Sequence, residues 1–144
     1  MSVAQLNEQL CFALYSASNS LTKIYRTLLE PYGLTYPQFV VLMALWQEDN
    51  VSITQLAKKT GLSKATMTPL LRRLEQKGLI ERQRLENNER QKNIALTEKG
   101  HALSGESGAI TEQVFCSTNL TLEEAQSIIA ACHQISDTIR QQTD

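Results

Sequence analysis

Apolar residues near the N-terminus recur every three or four positions, which is the spacing that places them on one face of a helix. We expect this first helix to end before Pro31, because a proline inside a helix removes a backbone hydrogen bond and clashes with the preceding turn. Gly33 then turns the chain toward the next element. The apolar stripe consists of Leu6, Leu10, Leu14, Ala17, Leu21, Ile24 and Leu28.

Five further helices are predicted from residues whose side-chain oxygen can accept a hydrogen bond from the first helical turn. These N-cap residues are Thr35, Ser52, Ser63, Thr97 and Thr121. The helices are expected at about 36–46, 53–60, 64–76, 98–116 and 122–142. The last of them has its own apolar stripe, which consists of Ala125, Ile128, Cys132, Ile135 and Ile139.

Two segments after Gly78 have strand character and are separated by a polar stretch, which predicts a hairpin. The strands are expected at 79–84 and 92–96, with the tip at 85–91. Before the hairpin, a short helix, a turn at Gly61 and a longer helix have the proportions of a helix-turn-helix. The predicted fold class is mainly α with a small β-hairpin wing, a winged helix-turn-helix in a single domain that spans residues 1–144.

Apolar residues make up 42% of the 144-residue chain, which is enough to bury a core without disulfide help. The N-terminus has no basic segment of a secretory signal, and the longest apolar run, Phe39 to Trp46, is too short to cross a bilayer. We therefore expect a cytoplasmic protein with no membrane contact. Its three cysteines lack metal-ligand spacing, so no metal or other cofactor is expected, and any disulfide would be a signal.

Positive charge is concentrated in the middle of the chain, although the whole chain has a net charge of -1. Residues 51–92 contain 10 Lys and Arg against four Glu, a local charge of +6, so the remaining residues sum to -7. A basic segment within an acidic protein is typical of a nucleic-acid-binding face. A solvated charged surface is the alternative explanation of the same pattern.

The second helix of the helix-turn-helix is expected to place its first turns in the major groove of DNA. Its leading residues are short or flexible groups suited to base edges and phosphates, and two arginines further along suit phosphates. Arg90, near the hairpin tip, is placed to enter a minor groove. The predicted DNA-contacting set is Ser63, Lys64, Thr66 and Thr68 in the leading turns, Arg72 and Arg73 further along, and Arg84, Arg90 and Lys92 in the hairpin.

The run from Ile53 to Thr97, with LAKKTGLSKATMTPLLRRLEQKGLIERQR at its core, resembles the MarR family of winged-helix repressors. The N-terminal LCFALYSAS, with KIYR and LTYPQF, resembles the OhrR group of organic hydroperoxide sensors within that family. Asn88 departs from the family pattern, which usually has an Asp there. The resemblance implies a repressor and not an enzyme, bound to pseudo-palindromic double-stranded operator DNA. It also implies a homodimer joined by helices at about 5–30 and 98–142, with a DNA-binding lobe at about 50–97.

A peroxide sensor needs a thiolate, because the thiolate sulfur attacks the O–O bond and becomes a sulfenic acid. Phenolic hydroxyls can stabilise that anion by donating hydrogen bonds. Tyr15 lies one turn beyond Cys11, but Tyr25 lies about 21 Å further along the same helix, so a contact with Tyr25 would have to come from the other subunit. The resemblance implies that Cys11 is held against Tyr25 and Tyr36 across the dimer interface, with an organic hydroperoxide as the oxidant.

A second cysteine, Cys116, ends the predicted fifth helix before a polar break. The resemblance to the two-cysteine class of OhrR implies that Cys116 of one subunit resolves the sulfenic acid of the other into an intersubunit disulfide. Cys132 lies on an apolar stripe and is expected to pack. Oxidation would then release DNA by changing the spacing of the two recognition helices, which must match half-sites about one helical turn apart.

Three alternatives stay open at this point. The chain could be a MarR-type repressor that answers a small aromatic ligand, with Cys11 incidental and the tyrosines lining a pocket. It could be a thiol peroxidase, since a reactive and a resolving cysteine are also how such enzymes work. It could also be an architectural dimer that binds DNA without regard to sequence.

Overall fold

Helices dominate the computed structural model, which describes residues 2–85 and 88–143. The helices are α1 (Leu10–Leu29), α2 (Tyr36–Gln47), α3 (Ile53–Thr60), α4 (Lys64–Gln76), α5 (Glu98–Ala102), α6 (Ser104–Ser117) and α7 (Leu122–Thr143). The strands are β1 (Val51–Ser52), β2 (Ile80–Leu85) and β3 (Asn88–Leu96). Short 3₁₀ turns at Leu6–Glu8 and Glu30–Tyr32 flank α1. The predicted fold class, mainly α with a small hairpin wing, is confirmed.

Each predicted N-cap side chain accepts a hydrogen bond from a backbone N–H three residues further on. The distances are 3.3 Å for Thr35 and 3.1 Å for Ser52, Ser63, Thr97 and Thr121. In α2, α3 and α7 the side-chain oxygen of the third helical residue also accepts a hydrogen bond from the N–H of the N-cap residue, which completes a capping box. These caps satisfy donors that have no acceptor within the helix, so short sequence patterns were enough to locate the helix starts.

Two helices differ from the sequence prediction. The first apolar stripe is interrupted at Gln9, whose extended backbone (φ -92°, ψ 125°) separates the turn Leu6–Glu8 from α1. The predicted fifth helix is divided at Leu103 into α5 and α6. The Leu103 N–H reaches the Lys99 carbonyl only at 3.4 Å, so the helical hydrogen bond is stretched there.

A three-stranded antiparallel sheet in the order β1-β3-β2 forms the wing and its base. Val51 pairs with Ile94, and Ile80 pairs with Leu96. β1 was not predicted, because two residues carry no alternation pattern. Both hairpin strands extend further toward the tip than predicted, and residues 86 and 87, at its centre, lie outside the described residues. The Asp49 carboxylate accepts from the Leu96 N–H at 2.9 Å and thereby ties the end of α2 to the sheet.

The chain divides into two compact units, Met1–Ile110 and Thr111–Asp144. In the second unit, α7 has no buried residue and exposes Leu122, Ile128, Ile129 and Ile139. No described helix is long and apolar enough to span a bilayer. The predicted division into a DNA-binding lobe and dimerisation helices stays a prediction. The core of the first unit joins α2, α3, α4 and the sheet, and its largest fully buried side chains include Phe39, Leu42, Leu45, Leu56, Met67, Leu71, Leu74, Ile80 and Ile94.

Candidate DNA interface and thiol site

The helix-turn-helix consists of α3, a three-residue turn and α4. Gly61 ends α3 in a left-handed conformation with a φ of 75°, and its N–H donates to the Ala57 carbonyl at 2.9 Å. A residue with a side chain would be strained in that conformation, so glycine sets the sharp turn. Ser63 then starts α4 as its N-cap. The predicted turn and recognition helix therefore have the expected local geometry.

One face of α4 is apolar and buried, and it consists of Met67, Leu70, Leu71 and Leu74. At about 3.6 residues per turn, the line of the helix opposite that face contains Ala65, Pro69, Arg72 and Gln76. All four of these residues are exposed. This outward line is the part of α4 that is free to enter a groove of DNA.

The predicted base-reading residues flank the outward line. Lys64 and Thr68 lie on one flank, where the Thr68 hydroxyl donates to the Lys64 carbonyl at 3.0 Å. Thr66 lies on the other flank, where its hydroxyl oxygen accepts from the Ser63 hydroxyl at 3.0 Å. Thr66 therefore keeps a free O–H donor, and Thr68 keeps free acceptor capacity. The two threonines offer opposite hydrogen-bonding groups to base edges or phosphates.

The two predicted arginines of α4 face different directions. Arg72 lies on the outward line. Arg73 lines an open groove of about 330 Å³ between α4 and the start of α2, together with Thr66 and Pro37. Both arginine side chains are exposed. Arg72 thus lies on the outward line between the two threonines' flanks, Arg73 lies beside the groove, and their predicted DNA contacts stay predictions.

The wing contributes an exposed lysine, Lys92, on β3. The backbone of β2 and β3 is antiparallel, with Arg84 opposite Lys92. The side chains of residues 84–91 lie outside the described part of the structure, and they include Arg84, Arg90 and the family departure Asn88. The predicted DNA contacts of Arg84 and Arg90 stay predictions.

The C-terminus of α4 is closed by Gly78, which has a φ of 74°. The N–H groups of Gly78 and Leu79 donate to the carbonyls of Glu75 and Leu74 at 2.9 and 3.1 Å, which is the Schellman arrangement. Lys77 is the residue just before this turn. Its carbonyl accepts from the Lys99 ammonium at 3.1 Å, so the end of α4 is also attached to α5.

The Lys77 side chain connects the end of α4 to the start of α2. Its ammonium donates to the Gln38 side-chain oxygen at 3.1 Å and to the Gly33 carbonyl. Gln38 is 3% exposed, and the same oxygen accepts from the Thr35 N–H at 3.0 Å. A buried amide oxygen that accepts two hydrogen bonds is fully satisfied, which makes this a well-defined polar junction.

Gly100 allows α5 to approach the beginning of β2. A Cβ atom added at Gly100 would collide with the Leu79 carbonyl oxygen and would lie 3.1 Å from the Leu79 carbonyl carbon. The Gly100 N–H donates to Thr97 Oγ1 at 3.1 Å, and its carbonyl accepts from Trp46 Nε1 at 2.9 Å. Glycine is therefore needed for this contact between α5, α2 and the base of the wing.

Cys11 is exposed in the first turn of α1. Its apolar neighbour Leu10 is 62% exposed, and Tyr15, one turn further on, is 65% exposed. Tyr25 belongs to the same uninterrupted helix and lies about 21 Å further along it. No Cys11–Tyr25 contact is thus possible within one chain.

Tyr25 and Tyr36, the first residue of α2, are packed with their ring centroids 4.4 Å apart. Phe39 lies 5.8 Å from Tyr25 and 5.9 Å from Trp46, which extends the aromatic cluster through α2. Burial raises the pKa of both phenols above the ordinary value of 10.0, and the charge of Tyr36 further raises the pKa of Tyr25. Both hydroxyls are therefore protonated at neutral pH and can donate hydrogen bonds to an anion.

The other two cysteines lie in the second unit. Cys116 is exposed near the end of α6, and Cys132 is half-buried in α7. Helix α6 ends at Ser117, one residue after Cys116, and Asn119 adopts a φ of 58° in the turn that follows. Cys11 belongs to the first unit, so the two exposed thiols lie in different units of the chain.

Comparison with known proteins identifies the family. The MarR family model matches residues 34–92. The organic hydroperoxide resistance transcriptional regulator of Bacillus subtilis is 34% identical over 137 residues, which cover 95% of this chain and 93% of that protein. The chain belongs to the MarR family. The predicted resemblance to MarR regulators of the hydroperoxide-sensing type is confirmed, and its relatives are transcriptional regulators.

A second relative of this MarR chain is TtmR, an HTH-type transcriptional regulator of Methylorubrum extorquens. It is 40% identical over 124 residues, which cover 86% of this chain and 64% of TtmR. The chain thus spans just under two thirds of the length of that relative.

Solved structures of MarR regulators resemble the whole fold. Reduced AbfR of Staphylococcus epidermidis bound to DNA gives a TM-score of 0.78 at 31% identity, covering 96% of this chain and 95% of AbfR. Disulfide-formed AbfR gives 0.62 at 31% identity, covering 94% and 90%. BpsR of Bordetella bronchiseptica, whose DNA binding is regulated by 6-hydroxynicotinic acid, gives 0.85 at 28% identity, covering 94% and 99%.

Three residues of this MarR chain have structural roles that sequence patterns did not predict. Ala65 lies on the outward line of α4. The spacing of the buried leucines was a signal that could have identified this position, although Ala65 was not named from the sequence. Lys77 and Gly100 hold α4 and α5 through partners 39 and 54 positions away in the sequence. No local pattern could have identified those two.

Proposed function

We propose that this MarR-family chain is a repressor that binds double-stranded operator DNA as a homodimer and releases it when an organic hydroperoxide oxidises Cys11. The observation that carries the proposal is the placement of Cys11, which is exposed in the first turn of α1 beside the exposed apolar side chains of Leu10 and Leu14. Its relationship to the organic hydroperoxide resistance regulator of Bacillus subtilis supports the same chemistry.

DNA binding is supported by the outward line of α4. A helix with one buried apolar face and an opposite exposed face carrying Arg72, flanked by Lys64 and Thr68, suits a major groove. Reduced AbfR, which shares the fold, is bound to DNA. Because a two-fold dimer presents two such helices, the operator is expected to be pseudo-palindromic.

Dimer formation is supported by the uncovered apolar side chains of α1 and α7. Leu10 and Leu14 of α1 and Ile128 and Ile129 of α7 are all exposed in the single chain. Apolar side chains repeated along a helix face favour burial against a second surface. A second copy of this chain, related by two-fold symmetry, would cover both helices and place the two winged lobes side by side.

The sensing step is a two-electron oxidation of sulfur. The Cys11 thiolate attacks one peroxide oxygen, the O–O bond breaks, and the alkoxide leaves and takes up a proton to give the alcohol. Sulfur is oxidised to sulfenic acid, and the hydroperoxide is reduced. Protonated Tyr25 and Tyr36 hydroxyls of the opposite subunit would stabilise the thiolate by donating hydrogen bonds, since Tyr25 of the same chain is too far away. Tyr15, one turn from Cys11 on the same helix, would be a third donor.

The resolving step would join Cys11 to Cys116 of the opposite subunit. The Cys116 thiol attacks the sulfenic sulfur, a disulfide forms and water leaves. Disulfide-formed AbfR resembles this chain less than reduced, DNA-bound AbfR does, with TM-scores of 0.62 and 0.78. We infer a corresponding rearrangement here, which changes the spacing of the two recognition helices and releases the operator.

The test is operator binding by wild type, Cys11→Ser and Cys116→Ser before and after a stoichiometric dose of cumene hydroperoxide, with non-reducing gels in parallel. We expect release for wild type, none for Cys11→Ser, and a disulfide-linked dimer band that requires Cys116. Release without such a band would leave Cys11 as the sensor and remove Cys116 from the mechanism. An unchanged distance between spin labels on the two α4 helices after oxidation would exclude the spacing mechanism.

A second candidate function is supported by BpsR, which has the highest TM-score of the structures compared above and whose DNA binding is regulated by 6-hydroxynicotinic acid. In that alternative, an aromatic effector occupies a site beside Tyr25 and Tyr36, and Cys11 has no role. Calorimetric titration of the reduced protein with 6-hydroxynicotinic acid, and DNA release from Cys11→Ser by the same compound, would support it.

A further inference from the structure

Lys77 lies between the aromatic cluster and the recognition helix. Its ammonium donates to the Gly33 carbonyl and to the Gln38 side chain, and these two residues flank Tyr36 on either side. Its backbone forms the C-cap of α4. One side chain therefore joins the segment that positions Tyr36 to the end of the DNA-reading helix.

The receiving end of this connection is rigid. The Gln38 oxygen is buried and also accepts from the Thr35 N–H, so it belongs to the capping box that starts α2. Gly33 has a φ of 65°, and its N–H donates to the Glu30 carbonyl at 2.9 Å, which fixes the turn after α1. A displacement of the α2 backbone at Tyr36 would move Gln38, the buried acceptor of Lys77, because both residues belong to the first turn of α2.

The opposite end is equally constrained. The Schellman turn at Gly78 and the bond from Lys99 to the Lys77 carbonyl hold the α4 C-terminus in one conformation. Closer to the middle of α4, by contrast, an open groove separates the helix from Thr35 and Pro37. Polar contact between the first turn of α2 and α4 is thus made at the Lys77 end.

We propose that Lys77 is the positioning residue that transmits displacement of Tyr36 to the recognition helix, so that it couples the redox state of Cys11 to DNA affinity. This inference rests on the proposed function. When oxidation moves the Tyr25–Tyr36 pair, the Lys77 ammonium moves with the start of α2 and tilts α4. Without the ammonium, the start of α2 can move while α4 stays in its DNA-binding orientation.

The test variant is Lys77→Met, which keeps the apolar stem and removes the ammonium. Gln38 remains bonded to Thr35 in this variant, so no buried polar atom is left without a partner. Lys58→Met is the matched control, because it removes an equal charge from an exposed lysine of α3 whose ammonium takes part in none of the described hydrogen bonds or ion pairs. Lys77→Arg keeps the charge and the donors and serves as the conservative rescue.

The measured quantity is the ratio of the dissociation constants for oxidised and reduced protein. The probe is a duplex selected by the reduced wild type from a random-sequence pool, and the oxidant is cumene hydroperoxide. We expect the ratio to fall at least about fivefold in Lys77→Met, which is the lower end of typical coupling between sites. The ratio should stay at the wild-type value in Lys58→Met, and in Lys77→Arg it should be closer to the wild-type value than in Lys77→Met.

Each other outcome overturns the proposal in a recognisable way. If oxidation releases DNA equally from wild type and from Lys77→Met, the redox sensor is supported but Lys77 is not its coupling residue. Equal loss of DNA binding in both redox states, restored by Lys77→Arg, would mean that Lys77 only supports the fold of α4. No release from wild type would overturn the proposed function and this inference together. If Lys77→Met lacks a helical circular-dichroism spectrum, the same ratio measured on Lys77→Gln decides.

Discussion

Substitution of Gly100 by alanine gives the sharpest stability prediction. The added methyl group would meet the Leu79 backbone carbonyl, which cannot rotate away as a flexible side chain could. Overpacking of this kind costs about 1–3 kcal/mol. The shift of α5 needed to relieve the collision also lengthens the Trp46–Gly100 hydrogen bond, which contributes about 1 kcal/mol to stability. The better helix propensity of alanine offsets about 1 kcal/mol of the loss. The expected net loss is about 2 kcal/mol.

Urea denaturation followed by the fluorescence of Trp46, the one tryptophan of the chain, measures this loss. At an m-value of about 2 kcal/mol/M, the midpoint should fall by about 1 M. Protein concentration must be equal for all variants, because the stability of a dimer depends on it. Circular dichroism should give the same midpoint if the transition is cooperative.

Gly105→Ala is the matched control. Gly105 is a helical glycine of α6, and a Cβ atom added there would meet no heavy atom within 4 Å. This variant should be as stable as wild type or more stable by up to about 1 kcal/mol. If Gly100→Ala were as stable as Gly105→Ala, the close approach of α5 to Leu79 would not exist as described.

Two further predictions concern charge and pH. Arg72→Ala should weaken DNA binding and reduce the magnitude of the slope of log K against log salt concentration by about one. Arg140→Ala, on α7, is the control and should leave the slope unchanged. Equal slopes for wild type and Arg72→Ala would show that Arg72 makes no phosphate contact. The free energy of unfolding should fall as pH rises above 10.0, because the raised pKa values of Tyr25 and Tyr36 keep the folded protein protonated after the unfolded chain has released its phenolic protons. The free energy of unfolding, measured by urea denaturation at about pH 9 and about pH 11, should fall less for Tyr25→Phe than for wild type. For the exposed Tyr15→Phe it should fall by as much as for wild type. An identical fall in all three proteins would contradict the burial of Tyr25.

Helix starts and the order of elements were predictable, because their determinants are local. The Thr35 and Ser52 capping boxes span only four residues each, and the left-handed Gly61 lies directly after the short helix. The strand β1 was missed because its two residues acquire strand geometry only by pairing with β3. The division of the fifth helix at Leu103 was missed as well, and α5 is held at Gly100 by tertiary contacts with Leu79 and Trp46 that no local pattern records.

The candidate site was only partly predictable for the same reason. Cys11 and the two packed tyrosines could be named from motifs, but the packing of Tyr25 on Tyr36 joins residues of two helices and appears only in the fold. The junction at Lys77 depends on a glutamine and a carbonyl that are far away in sequence. From the sequence alone, a lysine before a helix-ending glycine indicates only an ordinary C-cap, because its two distant acceptors are not known.

The most direct test of the redox switch follows two quantities in the same aliquots during titration with cumene hydroperoxide. One is the fraction of Cys11 oxidised, measured by mass spectrometry of its peptide, and the other is the fraction of DNA bound, measured by fluorescence anisotropy. We predict that DNA release rises in proportion to Cys11 oxidation and that Cys11→Ser stays bound at every dose. Complete Cys11 oxidation with the DNA still bound, or release of Cys11→Ser at the wild-type dose, would contradict the account.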